Sequence, residues 1–366
     1  VAVTVSDGGV SGVDIGFAYN LIVHTADDGG ADDARSQQGS LRQFLKNANA
    51  IKTVETSRFA IVTDDPGHFY YRDDGVTGQV TVDSVAVTAA ADDGLILDAD
   101  PDFAASWWSF RPIAPLPAVE DPVVLDGTTQ PGFAGFPIVE LDGSSIGGSN
   151  DGLRIASTSS TVRGLVVNRA THDGIQLDTN GGNLVVGCYV GTDVSGTHAL
   201  PNAVGGLRIS SSDNVIGGST GADRNLISGN GALGLELDGA SATNNRVIGN
   251  FVGTDITGTQ DLGNGAWGII LTAGPTSNEV GGVLPGEGNV IVGGSYGVHL
   301  TGSGTASNEI LGNLIGVDVT GTAILGNNNG VECSNGASAN TIGGTTPAAR
   351  NVISGNQTGI TIGGVG

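Results

Sequence analysis

From about residue 206 onward the chain repeats itself three times with a period near 62, and a repeat of that length restricts the fold more than any other feature. Three phrases recur in fixed order. Asn214-Val-Ile-Gly-Gly218 returns at Asn278 and Asn340, and Asn225-Leu-Ile-Ser-Gly-Asn230 returns at Asn289 and Asn351. Val190-Gly-Thr-Asp193 returns at Val252 and Ile315. A shorter beat runs inside this period. A Gly-apolar-x-apolar phrase opens at Gly152, Gly174, Gly206, Gly234, Gly268, Gly297, Gly330 and Gly359, and from Gly206 its spacing alternates between shorter and longer steps. The 62-residue unit therefore reads as two turns of a coil that carry different loops.

Each turn holds three short segments with period-two alternation, which predicts strands. Strands of about four residues bury no useful face alone, but a strand returning once per turn can pair with its copy ~4.8 Å away. The expected fold class is all-β: a right-handed parallel β-helix, or solenoid, with the hand taken from the usual sense of parallel crossovers. The phase of the repeat predicts that Leu207, Ile209, Leu235, Leu237, Val298, Leu300 and Val331 face inward, and that Arg208, Glu236, His299 and Glu332 face out. The 63 glycines suit corners with positive φ, and the recurring asparagines suit a stacked amide ladder.

Residues 1–150 do not keep the beat. Val1–Val5, Val13–Tyr19 and Leu21–Thr25 read as strands. Ser40–Ile51 carries a helix signal: Ser40 as cap, Gln43 completing a capping box, and Leu41, Phe44, Leu45, Ala48 and Ile51 as one apolar stripe. An amphipathic helix ahead of a solenoid covers its first open coil, so it is expected to act as an N-terminal capping helix. The division that follows is 1–23 as a strand segment, 24–150 as capping helix, acidic insertion and irregular first coils, and 151–366 as regular coils.

Acidic residues outnumber basic ones by 37 to 14, for a net charge of −23, which argues against nucleic acid and anionic membrane as partners. No apolar run reaches the length of a membrane span. With neither an initiator Met nor a signal peptide, the chain is expected to be a mature or excised segment. Cys188 and Cys333 fall about five turns apart, roughly 24 Å at the β-strand spacing, so both are expected as unpaired, packed thiols.

Gly39–Ala50, Ala114–Val119, Leu125-Asp-Gly-Thr-Thr-Gln-Pro-Gly-Phe133 and the Asn-x-Ile-Gly-Gly and Gly-Thr-Asp-x-Thr-Gly repeats resemble the β-helical segments of large secreted surface proteins of bacteria and archaea. Gly12–Tyr19 is similar to the closing strand of the β-sandwich repeat that often precedes such a segment. The resemblance implies an extracellular or cell-surface location and a β-helical architecture. It implies no shared catalytic set.

Chemistry has few places to sit. His172, Asp173, Asp178 and Arg169, with Arg163 nearby, form the one stretch of the repeats where His, Asp and Arg come close in sequence, and they are the catalytic candidates for a lyase or glycosidase. The competing reading is a coil corner where Asp makes the turn. Three acidic pairs, Asp64 with Asp65, Asp73 with Asp74, and Asp92 with Asp93, are the candidates for a Ca²⁺ site, against a solvated acidic loop. Trp107 and Trp108 read either as a sugar platform or as core closing against the cap. Asp193, Asp255 and Asp318 share a Gly-x-Asp-x-(Ser/Thr)-Gly-Thr loop and read as turn caps.

The expected function is an extracellular structural or adhesive surface protein without catalysis, self-associating head to tail into a filament or joined to flanking domains. The strand Val1–Val5 is then expected to dock on the last coil. The alternative is a module that binds or cleaves polysaccharide.

Overall fold

A computed structural model describes residues 20–27, 39–87, 96 and 98–363. The strands proposed at Val1–Val5 and Val13–Tyr19 lie outside these residues. So do Asp92 and Asp93, the third acidic pair proposed for Ca²⁺. The chain is the expected parallel β-helix. Each coil contributes one strand to each of three sheets. Sheet I has eight strands, from Leu153–Ile155 to Thr358–Ile362. Sheet II has nine, from Glu55–Thr56 to Thr341–Ile342. Sheet III has eleven, and its last parallel strand is Val352–Ile353.

Register follows the phrases residue for residue. Leu177 pairs with Ile209, then Leu237, Leu271, Leu300, Cys333 and Ile362 in one inward column of sheet I. Leu207, Ile209, Leu235, Leu237, Val298, Leu300 and Val331 are all fully buried. Arg208, Glu236 and Glu332 face out and are half-buried. His299 also faces outward but is covered, because it stacks on Tyr296 and accepts a hydrogen bond from Trp267 Nε1 at 3.1 Å. Both cysteines are buried and free.

The glycines opening sheet I strands serve close approach and not positive φ. A Cβ on Gly234 would lie 2.6 Å from the carbonyl oxygen of Gly268 in the next coil, and Gly297 and Gly330 would make the same clash. Asparagines form three ladders, one per corner: Asn183–Asn214–Asn245–Asn278–Asn308–Asn340, Asn225–Asn250–Asn289–Asn313–Asn351, and Asn202–Asn230–Asn264 resuming at Asn327–Asn356. Each Asn that has a successor donates Nδ2 to its amide oxygen, and the last of each run donates to a backbone carbonyl, so the buried polar corners are satisfied within the protein. Cys188 stands one coil ahead of Asn225, whose Oδ1 accepts its N–H at 2.9 Å.

The parallel ladders run back beyond the regular phrases. Val123–Asp126 joins sheet II and Val139–Asp142 joins sheet III. Ser106–Phe110 extends sheet III in parallel, and the acidic insertion then adds His68–Tyr71 and Ser84–Ala86 as antiparallel strands. The helix Leu41–Ala50 is capped by Ser40, whose Oγ accepts from Gln43 N at 3.1 Å. No bond from Ser40 N to the Gln43 side chain completes the capping box, and Gln43 Nε2 donates to Asn47 Oδ1 at 2.7 Å. Leu41, Phe44, Leu45 and Ala48 belong to the continuous core that runs the length of the coil, and Arg42 and Asn49 tie the helix to the backbone of Ala114, Pro115 and Ala118.

Outside sheet III the three Gly-x-Asp loops fold over the strands. Asp255 Oδ1 accepts from Thr259 N and Gln260 N, and Asp318 Oδ1 from Thr322 N and Ala323 N. Successive loops touch across the two-coil interval: Ile256 N donates to Gly196 O and Val319 N to Gly258 O, both at 2.9 Å.

Candidate functional site

Alternation along the sheet III strands turns Val166, Tyr189, Leu226, Phe251, Val290 and Leu314 outward as a second apolar stripe. Loops cover it closely, leaving Val166, Tyr189, Leu226, Phe251 and Val290 buried and Leu314 half-buried. Two cavities remain along it. The first, about 520 Å³, has half-buried Phe103, Phe133 and Phe136 on one wall, Tyr189 on the floor, and Arg163 and Arg224 opposite. The second, about 470 Å³, continues over Phe251, Val290 and Leu314 beneath Leu284 and Val319. Arg224 lines both and so stands between them.

Charge between the two cavities is local and positive, unlike the rest of the surface. The Arg224 guanidinium sits 4.1 Å above the Phe251 ring, and its Nε donates to Gly249 O at 3.3 Å. No carboxylate among the described residues pairs with it, and burial lowers its pKa. Arg163 is held loosely, 3.7 Å from Asp223.

Across the first loop from the aromatic wall lies a compact polar cluster around Asp193. Tyr71 Oη donates to Asp193 Oδ2 at 2.8 Å, Ser195 Oγ donates to the same oxygen at 2.7 Å, and His198 Nδ1 lies 3.3 Å from it. Burial opposes ionisation of Asp193, but the bonds from His198, Ser195 and Tyr71 outweigh it and hold its pKa below the usual carboxylate range. The Asp193 bond raises the His198 pKa. Burial, with Asp193 adjacent, drives the Tyr71 phenol far above its ordinary range. Arg169 and Arg111 meet Asp142 Oδ2 beside it, at 2.9 and 3.3 Å. The Asp193 bond favours the protonated imidazole of His198, yet the cavity of the cluster is only about 50 Å³, too small for a sugar ring.

The sequence candidates fall into three separate places. His172 and Asp173 meet each other and Asp151, with His172 Nδ1 2.8 Å from Asp151 and 3.1 Å from Asp173. Asp178 instead pairs with Arg154 at 2.6 Å. Arg169 is on another face, with Asp142. Of the proposed Ca²⁺ ligands, Asp64 is exposed and Asp65 is buried, binding Thr25 and Gly67 N. Asp73 and Asp74 cap their own turns through Gly75 N and Val76 N. Among the described residues these four carboxylates form no group of three or more ligands. Asp92 and Asp93 lie outside the described residues, so the structure assigns neither Asp92 nor Asp93 to an ion site. Trp107 and Trp108 are buried: Trp107 Nε1 bonds Glu140, and Trp108 stacks on His68 at 4.2 Å.

Sequence reasoning missed Tyr71, Arg224 and the phenylalanine wall. One signal was present: the third loop residue after the shared Ser/Thr is His198 in the first copy but Gln260 and Ala323 in the others. No helix among the described residues is long and apolar enough to cross a membrane.

No family model matches the chain, and comparison with curated protein sequences gives no match. Two solved structures with some likeness are the A-modules of the mannuronan C-5 epimerases AlgE4 and AlgE6 of Azotobacter vinelandii. The first is 16% identical, covering 71% of this chain and 78% of its own, with a TM-score of 0.41. The second is 16% identical over 70% and 87%, with a TM-score of 0.40. At these values the overlap carries no argument about residues or chemistry.

Proposed function

We propose that this chain is an extracellular polysaccharide-binding module that lays one glycan strand along the outer face of sheet III. The observation that carries the reading is the half-buried Arg224 guanidinium, without a carboxylate partner among the described residues, between two aromatic and apolar cavities. Phe133, Phe136 and Phe103 offer rings for stacking against the apolar faces of sugars. A desolvated guanidinium takes a carboxylate or sulfate in bidentate fashion, so an acidic glycan suits the site better than a neutral one. The protein's net charge of −23 opposes long-range approach of such a polymer. Binding then strengthens as moderate salt screens that repulsion, while the half-buried contact is screened less.

Affinity electrophoresis against uronate-containing and neutral polysaccharides tests this. Retention by a uronate polymer is expected, weakened at least tenfold in Arg224→Ala and in Phe136→Ala. A wild-type chain retained by no polysaccharide, or variants that migrate like it, would overturn the reading.

A further inference from the structure

On the far side of the first regular coil, the corners that open two successive sheet I strands carry Asp151 and the pair His172-Asp173. His172 Nδ1 lies 2.8 Å from Asp151 Oδ1 and 3.1 Å from Asp173 Oδ2, and all three ligand atoms fall within 4.8 Å of one another. Among the described residues this is the one group of three such ligands. Asp173 is 1% exposed, and its Oδ2 has no hydrogen-bond partner. The short approach to His172 does not satisfy that oxygen, because the same ring nitrogen is engaged more closely by Asp151. Two carboxylates from adjacent coils therefore converge on one nitrogen, one of them buried with an oxygen that accepts no hydrogen bond. A buried carboxylate oxygen left in that state is costly.

We infer that Asp151, His172 and Asp173 form a binding site for a divalent transition-metal cation of the zinc type. Metal–ligand bonds of ~2.0–2.1 Å in tetrahedral geometry separate neighbouring ligand atoms by roughly 3.3 Å; the two His172 distances, 2.8 and 3.1 Å, need only a few tenths of an ångström of opening, and the two carboxylate oxygens lie within 4.8 Å of each other. An imidazole with two carboxylates favours zinc or a neighbouring first-row metal over Ca²⁺, which takes six to eight oxygens. Asp151 and His172 also line a cavity of about 360 Å³, bounded by Asn150, Arg154 and Leu116, so a fourth coordination position opens towards solvent. Arg154 is occupied by Asp178 and does not compete for the carboxylates. Binding uses the lone pair of His172 Nδ1, so any proton on the ring sits on Nε2.

The test uses the whole chain, stripped with chelator and then equilibrated with Zn²⁺ alone. Inductively coupled plasma mass spectrometry should find one more equivalent of zinc on the wild type than on His172→Ala or Asp173→Asn. Because Asp173 is buried and its variant could unfold, Asp151→Asn serves as the second arm, and it should lose both the equivalent and the zinc-dependent rise in melting temperature. Excess Ca²⁺ should not displace the zinc. Equal zinc content in wild type and all three variants, or displacement by Ca²⁺, would overturn the assignment.

Discussion

At the scale of single residues, the asparagine ladders make the strongest claim. Asn289 is fully buried, donates Nδ2 to Val247 O and Asn313 Oδ1, and accepts from both the N–H and the side chain of Asn250. Asn289→Ala leaves several of these groups unpaired at once, at about 1–3 kcal/mol each, so urea denaturation should show a loss of about 2–5 kcal/mol. His198 gives a pH prediction. Its folded pKa is raised by Asp193, so its contribution to stability is complete below about 6.5, its unfolded value, and is lost as pH rises through the folded value. Thermal melts of wild type and His198→Gln, which copies Gln260 of the second loop, should converge at high pH and diverge below it, with the wild type the more stable. A constant difference across pH 5–9 would mean that Asp193 does not hold the imidazolium. The Asp193 carboxylate was legible as a turn cap because its partners are local. Its bond to Tyr71 spans 122 residues of sequence and belongs to a strand outside the repeat, so no spacing rule could reach it.

Among the elements, those whose identity rests on the repeat were readable and those whose identity rests on what covers them were not. Strands such as Leu233–Asp238 and Trp267–Thr272 announce their phase by alternation, and a single inward column fixes register for the whole sheet. Leu237→Asp places an unpaired charge in that column and should cost several kcal/mol; unchanged stability in a chemical melt would contradict the register. The helix Leu41–Ala50 was likewise legible from its stripe and its serine cap. The acidic insertion was not: His68–Tyr71 pairs antiparallel with Ser106–Phe110, and burial of His68, Tyr70 and Tyr71 together hides its alternation. The first cavity over sheet III escaped as well. Its walls come from segments near 103, 133–136 and 221–224 that share no period, and they meet only when the coil closes.

For the molecule as a whole, charge and shape combine. An elongated body with 37 acidic and 14 basic residues repels itself along its length. Screening should therefore raise the melting temperature between low salt and ~0.15 M, where the Debye length falls to about 8 Å; a decrease would mean that the arginine bridges, such as Arg246 with Glu279 and Glu287, dominate instead. The loop stack over sheet III has a different reach. Because Ile256 touches Gly196 and Val319 touches Gly258, loops of one kind recognise each other across an intervening coil of another kind. The body thus has a parity. Adding or removing one coil sets unlike loops against each other and breaks the outer stack, whereas adding or removing two keeps every contact. Heritable changes in the length of such a protein should come in even numbers of coils, making the pair of coils, and not the coil, its unit of growth.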